Sequence, residues 1–161
     1  MKRLAILVAA LMISSPSALG QNAGEIARVQ SGASCTGCNL FQADLSYRDL
    51  PRINLSGSRL RQANLSLATM NGSNFSRADL SVADLFGGRF TGASFAHASL
   101  RDANLVGAYF GGADFSGADL TGAILSGAEM ETARGLTQAR LDTACGDQDT
   151  RLPAGLRIPL C

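Results

Sequence analysis

Every fifth residue from Leu40 to Met130 is Leu, Phe or Met, nineteen times without a break. The residue two places earlier is usually Ala, and the one immediately before is often Asp or Asn. Ala43-Asp44-Leu45, Ala63-Asn64-Leu65, Ala83-Asp84-Leu85, Ala103-Asn104-Leu105 and Ala118-Asp119-Leu120 are examples. A period of five fits neither the helical period of about 3.6 nor the strand period of about 2. It fits short extended pieces joined by corners, each piece offering one small and one large inward position. Gly follows the large residue by two places at Gly107, Gly112, Gly117, Gly122 and Gly127, where a corner asks for a backbone conformation that side chains resist. A fixed short period of this kind marks a solenoid.

On these residues the chain resembles the pentapeptide repeat family, whose motif is A(D/N)LXX, over residues 38–132. The resemblance implies an all-β fold, a right-handed quadrilateral β-helix with four pentapeptides per coil. Four to five coils are then expected.

Sorting the large residues by their place in a 20-residue cycle agrees with four sides. Side one holds Leu40, Leu60, Leu80, Leu100 and Leu120, and side two Leu45, Leu65, Leu85, Leu105 and Leu125. Side three holds Leu50, Met70, Phe90, Phe110 and Met130, and side four Leu55, Phe75, Phe95 and Phe115. All five inward Phe fall on sides three and four, so residues 20 apart behave as vertical neighbours, with coils about 4.8 Å apart. Asp44, Asn64, Asp84 and Asn104 then form a polar column suited to turn hydrogen bonds. Arg48 and Ile53 break the pattern at the small inward position, and Pro51 lies between them. An inward, unpaired Arg is costly. An irregular or widened first coil is expected there, with Arg48 turned to solvent.

An open solenoid needs its two ends covered. Short terminal helical caps are expected, from Ile26 and Val29 at helical spacing within residues 22–30, and from residues 137–144 with Leu136 and Leu141. The expected organisation is a secretory signal peptide at 1–20, an N-terminal cap at 21–37, the β-helix at 38–132, and a cap helix with a stapled tail at 133–161. The leader is inferred from Lys2 and Arg3, the apolar residues 4–13, and Ala18-Leu19-Gly20 as a cleavage site. That apolar run falls short of the roughly 20 residues a membrane helix needs. The protein is therefore expected to be exported, periplasmic or secreted, without stable membrane insertion.

Without Lys2 and Arg3 the chain carries 12 basic and 13 acidic residues. This balance points away from a nucleic-acid partner. In an exported chain the four cysteines favour disulfides over a metal site. Three pairings are open, of which the local ones, Cys35–Cys38 and Cys145–Cys161, are favoured.

Catalytic constellations are nearly absent. His97 is the one histidine, placed at a corner, and no Gly-x-Ser-x-Gly, P-loop or dinucleotide fingerprint occurs. No enzymatic activity, cofactor or metal is expected. Arg59, Arg61 and Arg101 cluster on side one near Asp79, Asp102 and Asp119, as a salt-bridged face would. Phe86 and Val106 are outward and 20 apart, Ile124 replaces Asp or Asn on the same side, and Val82 and Tyr109 lie at its margins. Such a patch marks a candidate partner surface.

The expected function is that of an exported, non-enzymatic scaffold binding another protein or macromolecule, monomeric by default, with end-to-end dimers allowed. Two alternatives belong to other classes. Some members of the resembled family act as DNA mimics on type II topoisomerases, but residues 38–132 here hold nine acidic groups against seven Arg, a weak field. A thiol redox protein would use Cys35 and Cys38.

Overall fold

The computed structural model describes residues 20–161. The leader expected at residues 1–20 lies, apart from Gly20, outside the described residues.

From Asn39 to Arg134 the chain pairs with itself at an offset of 20 residues, always in parallel. Asp44 bridges Asn64, Asn64 bridges Asp84, Asp84 bridges Asn104, and Asn104 bridges Ile124. The other three sides repeat this, for instance from Asn54 through Asn74 and Ser94 to Asp114. Each bridge is a single residue flanked by turns, because a side is only five residues long. Leu65 N–H donates to Asp84 O at 2.7 Å while Asp84 N–H donates to Ala63 O at 2.9 Å, so each outward residue binds both ways to the coil beneath.

At each corner from Leu40 to Leu125 the residue two places after the large one has positive φ. It is glycine at Gly107, Gly112, Gly117, Gly122 and Gly127, with φ between 64° and 71°. Glycine also holds it at Gly57, Gly72, Gly87 and Gly92, and at the remaining corners an ordinary residue takes that conformation, including Tyr47 (φ 56°), Leu67 (φ 57°) and Val82 (φ 59°). The Asp and Asn of the repeat secure the same corner. Asp84 Oδ1 accepts from Phe86 N–H at 3.0 Å, and Asn104 Oδ1 accepts from Val106 N–H at 3.1 Å.

The large residues from Leu55 to Met130 are exposed by 1% or less. Each contributes roughly 1.5–3 kcal/mol on burial. Phe75, Phe95 and Phe115 stack at centroid distances of 5.0 and 5.1 Å, and Phe90 stacks on Phe110 at 5.4 Å. The two columns meet edge to face, as between Phe95 and Phe110 at 5.6 Å.

The expected irregularity around residues 48–53 is confined to one corner. The ladder runs through it unbroken, with bridges from Asp49 to Thr69 and from Asn54 to Asn74. Arg48 is exposed and Ile53 is buried. Arg48 lies in the first coil, with no repeat coil beneath it, and its charged side chain reaches solvent. Ile53 stays inward at a place built for Ala, and the turn from Leu50 to Ile53 opens. Ile53 N–H donates at 3.2 Å to Ser73 Oγ, which in turn donates to Leu50 O at 3.1 Å. The same device recurs at Cys38, whose N–H donates to Ser58 Oγ at 3.1 Å while that hydroxyl donates to Cys35 O at 2.7 Å.

Helix α1, Ala23–Gln30, begins at Asn22, whose side chain accepts from Glu25 N–H at 3.2 Å. Val29 is fully buried in the cluster that holds the repeat's leucines. Around α1 the chain's own groups meet the lower rim of the first coil. Glu25 Oε2 accepts from Asn39 N–H at 2.6 Å, and Gln30 Nε2 donates to Asp44 O at 2.8 Å. Among the described residues, Asp49 N–H and C=O on side three have no such partner.

At the other end the chain leaves side four at Arg134 and returns to side two at Cys145, which bridges Ile124. Gly135 makes that exit, because a Cβ there would run into the backbone and hydroxyl of Ser116. Helix α2, Gln138–Leu141, replaces side one, with Leu141 fully buried. Arg151 then bridges Glu129, and Leu160 bridges Gly146.

Candidate functional site

The corner between sides two and three carries an apolar strip. Phe86 stands there in the third coil and is 46% exposed. Val106 is half-buried directly above it, in the same corner position of the next coil. Leu67, 43% exposed, approaches from the coil below. Its Cδ2 occupies the space where a Cβ of Gly87 would sit, 2.7 Å away, so glycine at 87 lets Leu67 lie beside Phe86. Tyr47 extends the strip to the first coil and is 76% exposed.

Sequence reasoning missed Leu67 and Tyr47, and the signal that would have found them is their separation of 20 in one corner column. The remaining patch residues are spread more widely. Ile124 is exposed near the middle of side two in the fifth coil, and Val82 stands at the opposite edge of that side. Tyr109 faces outward from side three, but its ring lies over Gly111, away from Phe86 and Val106. The Arg89 guanidinium covers that ring at 5.7 Å.

The arginines of side one form the expected salt-bridged face only in part. Arg59 and Asp79 are backbone partners, yet the Arg59 guanidinium lies over the Phe41 ring at 5.0 Å. Arg101 does pair with Asp119 at 3.1 Å, with both side chains about half exposed. Such a pair contributes little to stability.

Asp114 and Asp119 have carboxyl pKa values held below the ordinary range, chiefly by the hydroxyls of Ser116 and Thr121 and then by the N–H groups of the same residues. These are corner bonds. His97 is exposed at its corner, with its ring against Gly117. Among the described residues no three His, Cys, Asp or Glu side chains gather where they could hold a metal ion. An open depression of about 410 Å³ is lined by Thr36, Ser56, Gly57, Asn74, Ser76 and Arg77, with no acid–base pair in it. No helix of the described residues is long and apolar enough to cross a membrane.

The structure joins Cys35 to Cys38 and Cys145 to Cys161, with Cα separations of 5.6 and 4.9 Å. No free cysteine remains. Cys35 and Cys38 are 1% and 9% exposed, within the core cluster beneath Ser58.

The family profile described as pentapeptide repeats, in 8 copies, matches residues 38–77, 49–87 and 89–127. No curated protein matches the chain in sequence. Among solved structures, the chain is similar to HetL, a pentapeptide repeat protein of the cyanobacterium Nostoc sp. strain PCC 7120 involved in heterocyst differentiation regulation. The identity is 37% over 63% of this chain, with a TM-score of 0.61, and the match spans only 48% of HetL. It is also similar to a pentapeptide repeat protein of the Arabidopsis thaliana thylakoid lumen, at 29% identity and a TM-score of 0.61, over 81% of this chain and 89% of that one. Right-handed quadrilateral β-helices are the architecture of such proteins, and the four sides and 20-residue coil described above correspond to it.

Proposed function

Since the chain belongs to the pentapeptide repeat family, we propose that it is an exported, non-enzymatic scaffold that binds another macromolecule along the corner between sides two and three. One observation carries the reading. Leu67, Phe86 and Val106 form an apolar run on successive coils at one corner of a surface that is elsewhere mostly polar or charged. Exposed apolar runs of that kind serve contact. Family proteins are in general structural or interaction proteins, which supports the non-enzymatic part.

Export rests on the leader read at residues 1–20 and on the even set of cysteines. In this reading α1 and α2 close the two ends of the solenoid, and the protein acts as a monomer.

Two measurements test the proposal. Fractionation with N-terminal sequencing of the native protein should find it outside the cytoplasm, starting at Gln21; a cytoplasmic protein retaining Met1 contradicts export. Partner capture should compare the native protein with a Phe86→Lys/Val106→Lys variant of unchanged far-UV circular dichroism. A species retained by the first and lost from the second supports the contact surface, and equal capture removes it.

A further inference from the structure

We propose that the corner of Leu67, Phe86 and Val106 receives an amphipathic α-helix of the partner, carrying basic residues beside its apolar stripe. The inference rests on the contact-surface reading above and adds the kind of partner.

The repeat distance comes first. Successive coils are about 4.8 Å apart, and the stacked rings of Phe75, Phe95 and Phe115 record centroid steps of 5.0 and 5.1 Å. The strip therefore offers one apolar group per coil along the axis: Tyr47, Leu67, Phe86 and Val106. A helix lying along that axis presents one apolar group per turn, about every 5.4 Å. It drifts by well under an ångström per coil. An extended strand presents same-side residues about 6.6–6.8 Å apart and is out of step after two coils.

Hydrogen bonding favours the same occupant. On sides two and three the outward residues above the first coil already use their backbone groups within the solenoid. Arg89 N–H donates to Ala68 O and Tyr109 N–H to Gly88 O, while Arg89 O and Tyr109 O accept from Met70 and Phe90. An extended peptide finds no free backbone partners beside Phe86. A helix satisfies its own backbone and brings only side chains. Gly107 and Gly127, next to Val106 in the corner, present no side chain and let a helix come close.

Charge gives the flanks. The outward positions of sides two and three include Asp44, Asp84, Asp49 and Glu129. Against them stand the exposed Arg48, Arg89 and Arg151, of which Arg89 lies over Tyr109 and Arg151 bridges Glu129 while pairing with Glu131 at 3.4 Å. The balance around the strip is acidic, which suits Lys or Arg on the incoming helix. A second copy of the chain is a poor occupant, because among the described residues its helices are of 8 and 4 residues, and each buries a residue in its own core.

The test is selection of binders from a display library of random 16-residue peptides, using the purified protein with both disulfides formed. Counter-selection uses a Leu67→Asn/Phe86→Asp variant with unchanged circular dichroism and melting temperature. The expected binders repeat apolar residues at i, i+3, i+4 and i+7, carry Lys or Arg beside them, become helical on binding, and lose about tenfold or more in affinity on the variant. Binders that need Leu67 and Phe86 but alternate with period two, or lack basic residues, overturn the helix and leave the contact surface standing. Absence of any binder that distinguishes the variant overturns both.

Discussion

Ser73 lies one coil above Ile53, and its hydroxyl supplies the turn bond that Ile53 lacks. It bridges Ile53 N–H and Leu50 O at 3.2 and 3.1 Å and is itself only 1% exposed. Ser73→Ala restores the commonest residue of the repeat at that position and is nonetheless expected to destabilise by about 1–3 kcal/mol, because two buried backbone groups lose their partner. In an Ile53→Ala background, where the turn can close on itself, the loss should shrink by about 1 kcal/mol. Urea unfolding of the four proteins of that cycle measures the coupling. Equal losses in both backgrounds contradict the bridge.

Val82 is β-branched and holds φ at 59° in a corner position that its own column fills with glycine at Gly122. The left-handed conformation costs a side-chain-bearing residue about 1–2 kcal/mol, and glycine returns about 0.5–1 kcal/mol of that through its looser unfolded state. Val82→Gly is therefore expected to raise stability by up to about 1 kcal/mol, read as a higher urea midpoint at constant slope.

Phe95 touches four other rings, stacked on Phe75 and Phe115 and edge-on to Phe90 and Phe110. Phe95→Ala should cost about 3–5 kcal/mol. Because each coil rests only on its neighbours, amide exchange should quicken most around Phe75, Phe95 and Phe115 and least near α1. A uniform change along the chain contradicts that local picture.

Asp44, Asp114, Asp119 and Asp147 all have pKa values below the ordinary 3.8. The largest cause is a side-chain bond from Ser46, Ser116 or Thr121 in the first three, and the Gly127 N–H in Asp147. Carboxylates depressed by folding stabilise above their unfolded pKa, and that contribution is lost as pH falls through the folded value. Stability should be level from pH 7 to about 5 and decline below about 4. Asp114→Asn keeps the Oδ1 acceptor for Ser116 and should flatten part of that decline, in melting temperatures recorded against pH.

The two disulfides differ in access. Cys161 is exposed and Cys145 half-buried, whereas Cys35 and Cys38 are in the core. Thiol exchange needs an attacking thiolate at the sulfur. A mild reductant acting on the native protein should release two alkylatable thiols, located by mass spectrometry at 145 and 161, with the other two appearing only on unfolding. Early labelling of Cys35 would revive a redox role for that pair.

The coil and its four sides were legible because one inward residue in five is large, and the Phe positions single out two columns. The opened corners were not, because Ser58 and Ser73 pass for small residues in the Ala place. Their meaning appears only when each is set above the oversized residue 20 positions earlier, Cys38 or Ile53. Arg48 has Ala68 above it instead, and it turned outward. The strip was half visible: Phe86 and Val106 stand out in sequence, whereas Leu67 joins them only through the gap left at Gly87. The placing of Arg59 over Phe41, and of Tyr109 over Gly111, depends on side-chain direction, on which the five-residue period is silent.

A corner every five residues and a contact every 20 give the chain two different grammars of length. One extra pentapeptide inserted after Ala68 would keep every large residue inward, yet rotate everything beyond it by a quarter turn. Phe86 would leave the corner of Leu67, and Phe75 would leave the column of Leu55 while the Phe stack above moved with it. Twenty extra residues would return each face to its place. Length variation among proteins sharing this surface should therefore come in whole coils of 20, with insertions of 5, 10 or 15 residues confined to proteins whose surfaces serve something else.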